Sequence, residues 1–585
     1  MSLPRLALLL GTAVGLAEVA LHSAPERGLG SLEVAGWALI SVATAVGLAT
    51  AAAALAFLAA RWLPRAVDKK RELVVFVVAG VLGAINYRYA FVLNHFVRDP
   101  AVWLGMPAVA CICGGIAAIV FAWISAPARA LAAVAVVSAA AIPLRAGSPQ
   151  GRVAARPNVL AVSMDTVRAD AVVALPTFGR LARAGTVFTQ AIASAPITEP
   201  SHLAMLSGIA PYQSGVVSNG TNLGDRPALV SHSFSREGYL VAGFVAGFPL
   251  HGKYGWGQGS AVWDDDFGVV PGLESLSMVK LYNQFFLKDH ALRERSAERV
   301  LARAERWIRA HRDENTFTFV HFYDAHGPYH SAKNDTLGKP RGGAELPLPA
   351  YWPARDREIR DLDWLSRAYQ AEVADVDAAV GRLLDALGPT LDNTIVVVTA
   401  DHGESLTEHG YYFDHGDNLY DPSLRVPLVF RYPPVVQASQ VTHCMVGGTD
   451  LAPTLLALVG ISDAVQRDGI SRVPELRGEA CRPEVVISST IAGRFVASPP
   501  VDHALRSPTE KLIRKGLGGA ELYDLVADPG ERRNLAPSPR SEASMSAFSR
   551  ALEHGRTAVS PEMDAETRAA LEALGYLGAE APLTP

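Results

Sequence analysis

The 585-residue sequence predicts two architectures in one chain: an all-α transmembrane part, then an α/β domain with a central, mainly parallel sheet flanked by helices. Three observations support this prediction. Residues 1 to about 146 are dominated by Ala, Val, Leu, Ile and Gly, whereas the remainder has the mixed composition of a globular protein. After residue 157, short Val- and Ile-rich runs alternate with helical patterns. Several of those runs end in carboxylate or imidazole side chains.

Five apolar runs account for the first part, and each approaches the ~20 residues that span the hydrocarbon core of a bilayer. The Arg- and Lys-rich loop after the second run is expected on the cytoplasmic side, so everything after the fifth run lies outside. If two runs merge or one is lost, the globular part lies inside instead. The first run is interpreted as a retained signal anchor because further spans follow. The runs cover roughly residues 5–24, 36–60, 73–93, 102–125 and 127–145.

Charge and cysteine usage narrow the possible functions. The net charge of −5 gives no electrostatic reason to expect nucleic-acid binding. Four cysteines do not make a disulfide framework. Cys111 and Cys113 fall in the fourth apolar run, whereas Cys444 and Cys481 lie in the outer part and could pair in an oxidising compartment. The sequence alone leaves that pairing and the oligomeric state open.

Short apolar runs of strand length in the outer part are followed by polar side chains. Near-continuous Val and Ile runs are typical of strands buried on both faces, as in a parallel sheet. Ligands bind beyond the carboxyl ends of such strands, so the residues that follow them are candidates for a site. The runs and residues are 159–163 before Asp165, 395–399 before Asp401 and His402, and "FTFVHFYDAHG" with Asp324 and His326.

Helical patterns separate these strands. The segments "PTFGRLARAG" and "DWLSRAYQAEVADVDAAVGRLLDALG" have helical periodicity, and the first ends in a glycine expected at a helix C-cap. Near the C-terminus, "EKLIRKGLGGAELYDL" predicts a hairpin with its turn at residues 516–519.

Asp165, Asp401 and His402 have the chemistry of a divalent-metal site: hard carboxylate oxygens and one imidazole. Each residue alone is ordinary turn chemistry after a strand. Together, at the ends of separate predicted strands, they indicate a metal site. One imidazole among oxygens favours manganese or zinc.

Thr198 opens the stretch "TEPSHLAMLSG", which predicts a short helix that ends at Gly208. By itself, a threonine near Pro200 is an ordinary helix N-cap. The same geometry is expected to aim backbone N–H groups and the positive helix end at whatever lies beside Thr198, which makes an anion site. A hydroxyl there, touching a metal, could attack a phosphorus or sulfur centre.

Six ordered blocks resemble the sulfatase family, which belongs to the alkaline phosphatase superfamily. The resemblance covers about residues 157 to 535 and implies an alkaline-phosphatase-like sheet with a smaller C-terminal α/β subdomain. The blocks are "PNVLAVSMDTVRAD", "TEPSHLAMLSGIAPYQSGV", "HFYDAHGPY", "DNTIVVVTADHGESLTEHGYYFDHGDNLYDPSLRVPLV", "GGTDLAPTLLALVGI" and "AELYDLVADPGERRNLA".

The resemblance also implies roles for single residues. A divalent cation is held by the three strand-end residues named above together with Thr198, which occupies the nucleophile position. His326 and His415 match positions near the transferred group, as contact or acid residues. Arg425, in "RVP", matches a further family position that is either substrate-binding or structural.

The nucleophile motif departs from that of sulfatases, which carry Cys or Ser in C/S-x-P-S-R. Here residues 198–202 are "TEPSH". Sulfatases oxidise the Cβ of Cys or Ser to the aldehyde formylglycine, whereas the methyl group on the Cβ of Thr198 would lead to a ketone. No formylglycine is therefore expected. His202, in place of the arginine, is expected to bind substrate; alternatively it orients the site or only faces solvent.

Lipoteichoic acid synthases and phosphoethanolamine transferases, another branch of the superfamily, use a threonine directly and resemble this chain in their five-span layout. The combined resemblance implies a membrane-anchored hydrolase or transferase that acts on a phosphodiester-type substrate, an envelope lipid or glycan. It implies one divalent ion (Mn, Zn, Mg or Ca). The alternatives are a sulfatase that works without formylglycine and an inactive anion- or glycan-binding protein.

The expected location is a bacterial-type inner (cytoplasmic) membrane, with the catalytic part in the periplasm. The expected partners are membrane lipids and a small-molecule, lipid or glycan substrate, with no nucleic acid. The predicted organisation is a transmembrane domain at 1–146, a linker at 147–157, the catalytic core at 158–440, the C-terminal part of the catalytic unit at 441–540 and a tail helix at 541–585.

Overall fold

A computed structural model describes residues 156–552 except 225–228, 268–293, 330–335, 344, 350, 351, 353, 483, 484 and 492–499. The five predicted membrane spans, with Cys111 and Cys113, and most of the predicted tail helix lie outside the described residues. Among the residues that are described, no helix combines the length and the apolar composition needed to cross a bilayer. All of them except Asp266 and Phe267 belong to one compact unit.

Nine strands form the central sheet of this unit: β1 (Asn158–Met164), β2 (Thr186–Ile192), β3 (Leu240–Val245), β4 (Val262–Asp264), β5 (Thr316–Phe322), β6 (Thr394–Thr399), β7 (Arg425–Val426), β8 (Leu428–Arg431) and β9 (Gln440–Gly447). Their order is β4-β3-β5-β1-β6-β8-β2-β7, and β9 pairs with β2. The pairs β3–β5, β5–β1 and β1–β6 are parallel, whereas β8 is antiparallel to β6 and β2. The predicted mainly parallel sheet is therefore confirmed.

Strands β1, β5 and β6 lie at the centre of the sheet because their sequences suit burial on both faces. Every residue of the three strands is buried. The β-branched residues of "TIVVVT" and "NVLAVSM" fit such a pleated, enclosed surface. All three strands were predicted from their apolar runs, and all three end at the same edge of the sheet, since they run parallel.

Helices cover this sheet, and short 3₁₀ turns lie between some of them. The α-helices among the described residues are α1 (Pro176–Ala184), α2 (Thr198–Ser207), α3 (Pro211–Ser214), α4 (Val230–Arg236), α5 (Ala297–Ala310), α6 (Ala354–Arg357), α7 (Leu362–Leu387), α8 (Asp421–Leu424), α9 (Leu451–Val459), α10 (Val473–Leu476) and α11 (Pro539–Leu552).

Helix α7 is the long helix that the periodicity predicted. The Asp361 side chain accepts a hydrogen bond from the Trp364 N–H and caps its start. Apolar residues at helical spacing, such as Leu365, Val376 and Leu383, are buried. This face packs against α5 and α1, so α7 closes one side of the central strands.

Gly185 follows α1 at the predicted C-cap position, but its backbone is extended, with φ −156°, instead of left-handed. Glycine is therefore needed at this position because there is no room for a side chain. A Cβ at this position would lie 1.9 Å from the Phe430 carbonyl oxygen of β8. Gly185 lets the chain leave α1 and enter β2 directly against the neighbouring strand.

A second, four-stranded antiparallel sheet consists of β10 (Val486–Ile491), β11 (Val501–Arg506), β12 (Glu510–Arg514) and β13 (Ala520–Asp524), in that order. The predicted hairpin is confirmed as β12–β13. A buried ion network joins this sheet to α8. The Lys511 ammonium lies 2.5 Å from Asp421 and 2.6 Å from Glu531, and Arg506 also pairs with Asp421. Buried charges are tolerated here because each has an opposite partner.

Cys444 and Cys481 form a disulfide that joins β9 to the segment after α10. The pairing that the sequence left open is thus made. The bond closes a loop with a sequence separation of 37 residues. Closure of such a loop restricts the unfolded chain and stabilises the folded one.

We expect the double variant Cys444→Ala/Cys481→Ala to lose about 3–4 kcal/mol of unfolding free energy, the chain-entropy value for a loop of this length. Tryptophan fluorescence during urea unfolding of the purified full-length chain measures the loss. Adding a reductant is the control, since it should destabilise the parent protein and leave the double variant unchanged. Equal stability of the parent and the variant would contradict this role of the bond.

Candidate active site

Asp165 lies at the carboxyl end of β1 in a strained turn. Its N–H donates to the Phe322 carbonyl at 2.9 Å and extends the β1–β5 ladder by one bond. The next residue, Thr166, has φ +57°, which is uncommon for a β-branched residue. The Tyr369 hydroxyl donates to the Thr166 carbonyl at 3.0 Å and holds this turn from α7. Such local strain is typical of functional positions.

Asp401 and His402 follow β6, the strand beside β1. The Nδ1 of His402 donates to the Gly403 carbonyl at 3.0 Å, so its Nε2 carries the lone pair. Burial lowers the pKa of His402 to about 4, which keeps the ring neutral. A neutral imidazole with one nitrogen fixed by a carbonyl is the usual state of a metal-binding histidine.

The three residues form one buried cluster, with ligand atoms within 4.8 Å of one another. One atom of each has no hydrogen-bond partner: Asp165 Oδ1, Asp401 Oδ2 and His402 Nε2. Burial, and then the charge of the neighbouring carboxylate, raises the pKa of Asp401 well above its usual range. Burial likewise raises the pKa of Asp165. Two adjacent buried carboxylates and a lone imidazole nitrogen fit a divalent cation, which would offset their mutual repulsion.

Thr198 is the first residue of α2 and lies at this cluster. Burial raises the pKa of Asp165, and the interaction with the Thr198 hydroxyl acts against this by favouring the ionised carboxylate. The N-cap residue is Ile197, which has an extended backbone and no side chain that could cap. The alternative that Thr198 is an ordinary N-cap does not hold, because the N-cap lies one residue earlier. The helix ends at Gly208 with φ +72°, as predicted.

The backbone N–H groups of the first turn of α2 do not form the expected anion site. The Glu199 N–H donates to the Asn219 side-chain oxygen at 2.7 Å. Pro200 has no N–H, and the Ser201 N–H donates to the Ile197 carbonyl at 3.1 Å. The positive helix end remains, but an anion at this site cannot be held by the Glu199 and Ser201 amides.

Three imidazole rings lie in a row at the cluster. The His415 ring lies 4.5 Å from His402 and 5.0 Å from His326, centroid to centroid. His326 stacks on Tyr323 at 4.3 Å, and its Nδ1 donates to the Gly327 carbonyl at 2.8 Å. The structure thus brings both predicted histidines, His326 and His415, next to the candidate metal ligands.

The two remaining predicted residues occupy different environments. His202 is fully buried, so the alternative that it faces solvent is wrong. Its Nδ1 donates to the Thr198 carbonyl at 2.7 Å, and its Nε2 lies 2.9 Å from the Ser163 hydroxyl. This arrangement favours the orienting role. Arg425 is exposed in β7 and donates to the Thr189 carbonyl at 2.9 Å; among its described contacts, none reaches the cluster.

Sequence reasoning missed two side chains of the site. His321, a buried residue of β5, donates from Nε2 to Asp165 Oδ2 at 3.2 Å and leaves Oδ1 facing the cluster. Burial lowers the pKa of His321 to about 3, so the ring stays neutral. Glu404 lies with its Oε1 3.2 Å from His415 Nδ1. A polar residue within a buried strand was the available signal for His321, and adjacency to the metal motif was the signal for Glu404.

The fold and the cluster define a class: an alkaline-phosphatase-like hydrolase with a cation site at the carboxyl edge of its sheet. The family model described as Sulfatase matches residues 157–461. A second model, described as N-sulphoglucosamine sulphohydrolase, C-terminal, matches residues 407–558. The chain belongs to the sulfatase family, within the alkaline phosphatase superfamily.

Individual relatives agree with this assignment. A choline-sulfatase of Rhizobium meliloti (strain 1021) is 28% identical over 459 residues, 67% of this chain and 85% of that protein. A Delta 4,5-hexuronate-2-O-sulfatase of Bacteroides thetaiotaomicron is 28% identical over 394 residues, 62% of this chain and 79% of that protein. The fold is similar to a phosphonate monoester hydrolase of Agrobacterium radiobacter, with TM-score 0.55 and 20% identity over 68% of this chain and 95% of that one.

We expect Asp401→Asn to lower the affinity for a divalent ion by at least about 100-fold, because even supporting residues around metal sites contribute about 10–100-fold. Elemental analysis and titration with Mn²⁺ after chelation measure this affinity. The matched control is Asp377→Asn, a buried carboxylate that accepts the Thr177 and Phe178 N–H groups away from the cluster. An unchanged metal content in Asp401→Asn would show that the cation does not bind at this site.

Proposed function

We propose that this sulfatase-family hydrolase is a membrane-anchored enzyme that uses Thr198 as nucleophile on a phosphodiester-type substrate. One observation carries the proposal. The Thr198 hydroxyl interacts with the carboxyl group of Asp165, one of the residues of the candidate cation site, and this interaction favours the ionised carboxylate. A secondary hydroxyl in that position is a direct nucleophile, because the methyl group on its Cβ closes the route to an aldehyde.

The cluster is suited to a transferred group with a single negative charge. Asp165 and Asp401 together balance the charge of one divalent cation, and the neutral imidazole of His402 adds no charge. A phosphodiester and a sulfate ester each carry one negative charge on the group that is transferred. The dianion of a phosphate monoester would bring a second charge that this set of side chains does not neutralise.

The Asp165, Asp401 and His402 side chains, with Thr198, would hold the cation. Bound there, a divalent cation supplies positive charge that stabilises a deprotonated hydroxyl and a developing oxyanion. Thr198 Oγ1 then forms a bond to phosphorus while the bond to the leaving alcohol oxygen breaks. The Thr198 proton passes to the Asp165 carboxylate, and His415 or His326 gives a proton to the leaving oxygen.

The second step releases the phosphoryl group from Thr198. A water molecule or an acceptor hydroxyl attacks phosphorus, the bond to Thr198 Oγ1 breaks, and that oxygen takes back the proton held by Asp165. The imidazole that gave up its proton recovers one from the attacking oxygen. Attack by water makes the enzyme a hydrolase, and attack by an acceptor makes it a transferase. The metal ion is Mn²⁺, Zn²⁺, Mg²⁺ or Ca²⁺, and the single imidazole favours the first two.

The proposed location is the outer face of a bacterial-type inner membrane, with an envelope lipid or glycan as substrate. The five apolar runs before residue 146 support anchoring. The Cys444–Cys481 disulfide supports an oxidising compartment such as the periplasm, because disulfides are rare in the reducing cytosol.

A sulfate-ester hydrolase that works without formylglycine is the second candidate. The curated relatives favour it, since both proteins described above are named as sulfatases. The chemistry of the cluster also accommodates it, because a sulfate ester matches the single charge of a phosphodiester.

We expect Thr198→Val, which keeps the shape of the side chain but lacks the hydroxyl, to lower kcat by at least about 1,000-fold, as for loss of other nucleophiles. Steady-state assays of the solubilised full chain on an aryl phosphodiester measure the loss. Thr198→Ser is the control that keeps a hydroxyl and measurable turnover. Turnover of Thr198→Val close to the parent rate would exclude Thr198 as the nucleophile.

The substrate class is tested with three p-nitrophenyl esters that share one leaving group: a phosphodiester, a sulfate and a phosphate monoester. We expect kcat/KM to be highest for the phosphodiester and lowest for the phosphate monoester, because the monoester adds a second negative charge. A preference for the sulfate would make the second candidate the function. A preference for the phosphate monoester would contradict the charge balance proposed for the cluster.

A further inference from the structure

The position of Thr198 is not secured by α2 alone. Thr198 is the terminal residue of a ten-residue helix, its N-cap Ile197 provides no side-chain hydrogen bond, and Pro200 removes one backbone donor from the first turn. Helix ends of this kind fray unless something outside the helix holds them. Other groups must therefore fix where the Thr198 hydroxyl lies.

The first such group is a bridge from α2 to β1. His202 lies one turn after Thr198, and its Nδ1 donates to the Thr198 carbonyl at 2.7 Å. Since that nitrogen is the donor, the neutral ring accepts the Ser163 hydroxyl at Nε2, 2.9 Å away. Ser163 precedes Asp165 by two residues on β1, so the bridge ties the carbonyl of Thr198 to the strand that carries Asp165.

The second group is a bridge from α2 to the end of β6. The Ser201 hydroxyl donates to the Asp401 carbonyl at 2.6 Å. It therefore ties the first turn of the helix to the other carboxylate residue of the cluster. The Asp401 carbonyl thus bonds to the Ser201 hydroxyl, while the Asp401 side chain belongs to the cluster.

The two bridges leave little freedom for the first turn. Ser163, Ser201 and His202 are each 0% exposed. The His202 ring packs edge-on against His321 at 4.9 Å and Phe319 at 5.9 Å. Both of its nitrogens are engaged within the protein, so His202 has no ring donor or acceptor to offer a substrate.

We propose that Ser163 and Ser201 are positioning residues for the reaction. Ser163 acts through His202 and holds the start of α2 against the end of β1, whereas Ser201 holds it directly against the segment after β6. Together they set the distance between the Thr198 hydroxyl and the Asp165–Asp401–His402 cluster. This inference rests on the proposed role of Thr198 as nucleophile. Neither serine touches the substrate or supplies a proton to it.

The test uses Ser163→Ala and Ser201→Ala in the full-length solubilised chain, assayed on an aryl phosphodiester. We expect kcat to fall by about 10–100-fold for each variant, since a displacement near 1 Å of a reacting group costs about that much. KM should stay within about twofold and the content of bound metal should not change, because neither hydroxyl contacts substrate or cation.

The matched control is Ser207→Ala on the same helix. Ser207 is equally buried, but its hydroxyl donates to the Leu203 carbonyl within α2 at 2.6 Å and reaches neither strand. It should keep kcat within about twofold of the parent. A loss in Ser207→Ala as large as in the other two variants would attribute the effect to general packing of the helix and overturn the proposal.

Rapid-quench mass spectrometry of the Thr198 peptide separates this inference from the proposed function. The rate at which the modified threonine accumulates should fall in Ser163→Ala and Ser201→Ala by the same factor as kcat. A parent-like rate of accumulation in both variants would refute the positioning role. Absence of any modified Thr198 in the parent enzyme would refute the proposed nucleophile itself. Two variants, one on β1 and one on α2, keep the test valid if one of them fails to fold.

Discussion

The interaction on which the site depends is the enforced proximity of two carboxylates, Asp165 and Asp401, inside the protein. Neither side chain reaches water, and together with His402 they leave three inward-facing atoms without hydrogen-bond partners. An arrangement of this kind is unfavourable unless a cation occupies the space between them. The parallel pairing of β1 with β6 produces the proximity, because adjacent parallel strands end at the same edge of the sheet. The candidate cation site is therefore a consequence of strand order.

Much of this could be predicted from the sequence, and the reason is physical. Apart from Ser163, residues 159–163 and 395–399 are β-branched or apolar, which favours strands covered on both faces. Parallel strands covered in this way place the residues that follow them at a common edge. Asp165, Asp401 and His402 were thus predicted to be neighbours, and the structure brings them together. His326 followed from the same reasoning, whereas His415 came from the family resemblance.

The remainder could not be predicted because it depends on contacts between residues distant in the chain. The Glu404–His415 contact requires the loop after β6 to fold back on itself. The Cys444–Cys481 bond requires the segment after α10 to return to β9. The expected anion site of N–H groups at the start of α2 was wrong because Asn219, from another segment, accepts the Glu199 N–H. Sequence periodicity carries no information on such partners.

The bonding of the first-turn amides of α2 affects how the specificity of such a pocket can change during evolution. Where backbone amides cradle the reacting group, as in many phosphate-binding loops, the chemistry of the pocket is tied to the path of the main chain. In this chain the Glu199 and Ser201 amides of the first helical turn bond within the protein and Pro200 has no N–H, so side chains supply more of the donors. A change of substrate preference from one kind of ester to another then requires the replacement of individual side chains, while the fold stays the same. Such a pocket is open to gradual adaptation by point mutation, in nature and in directed evolution.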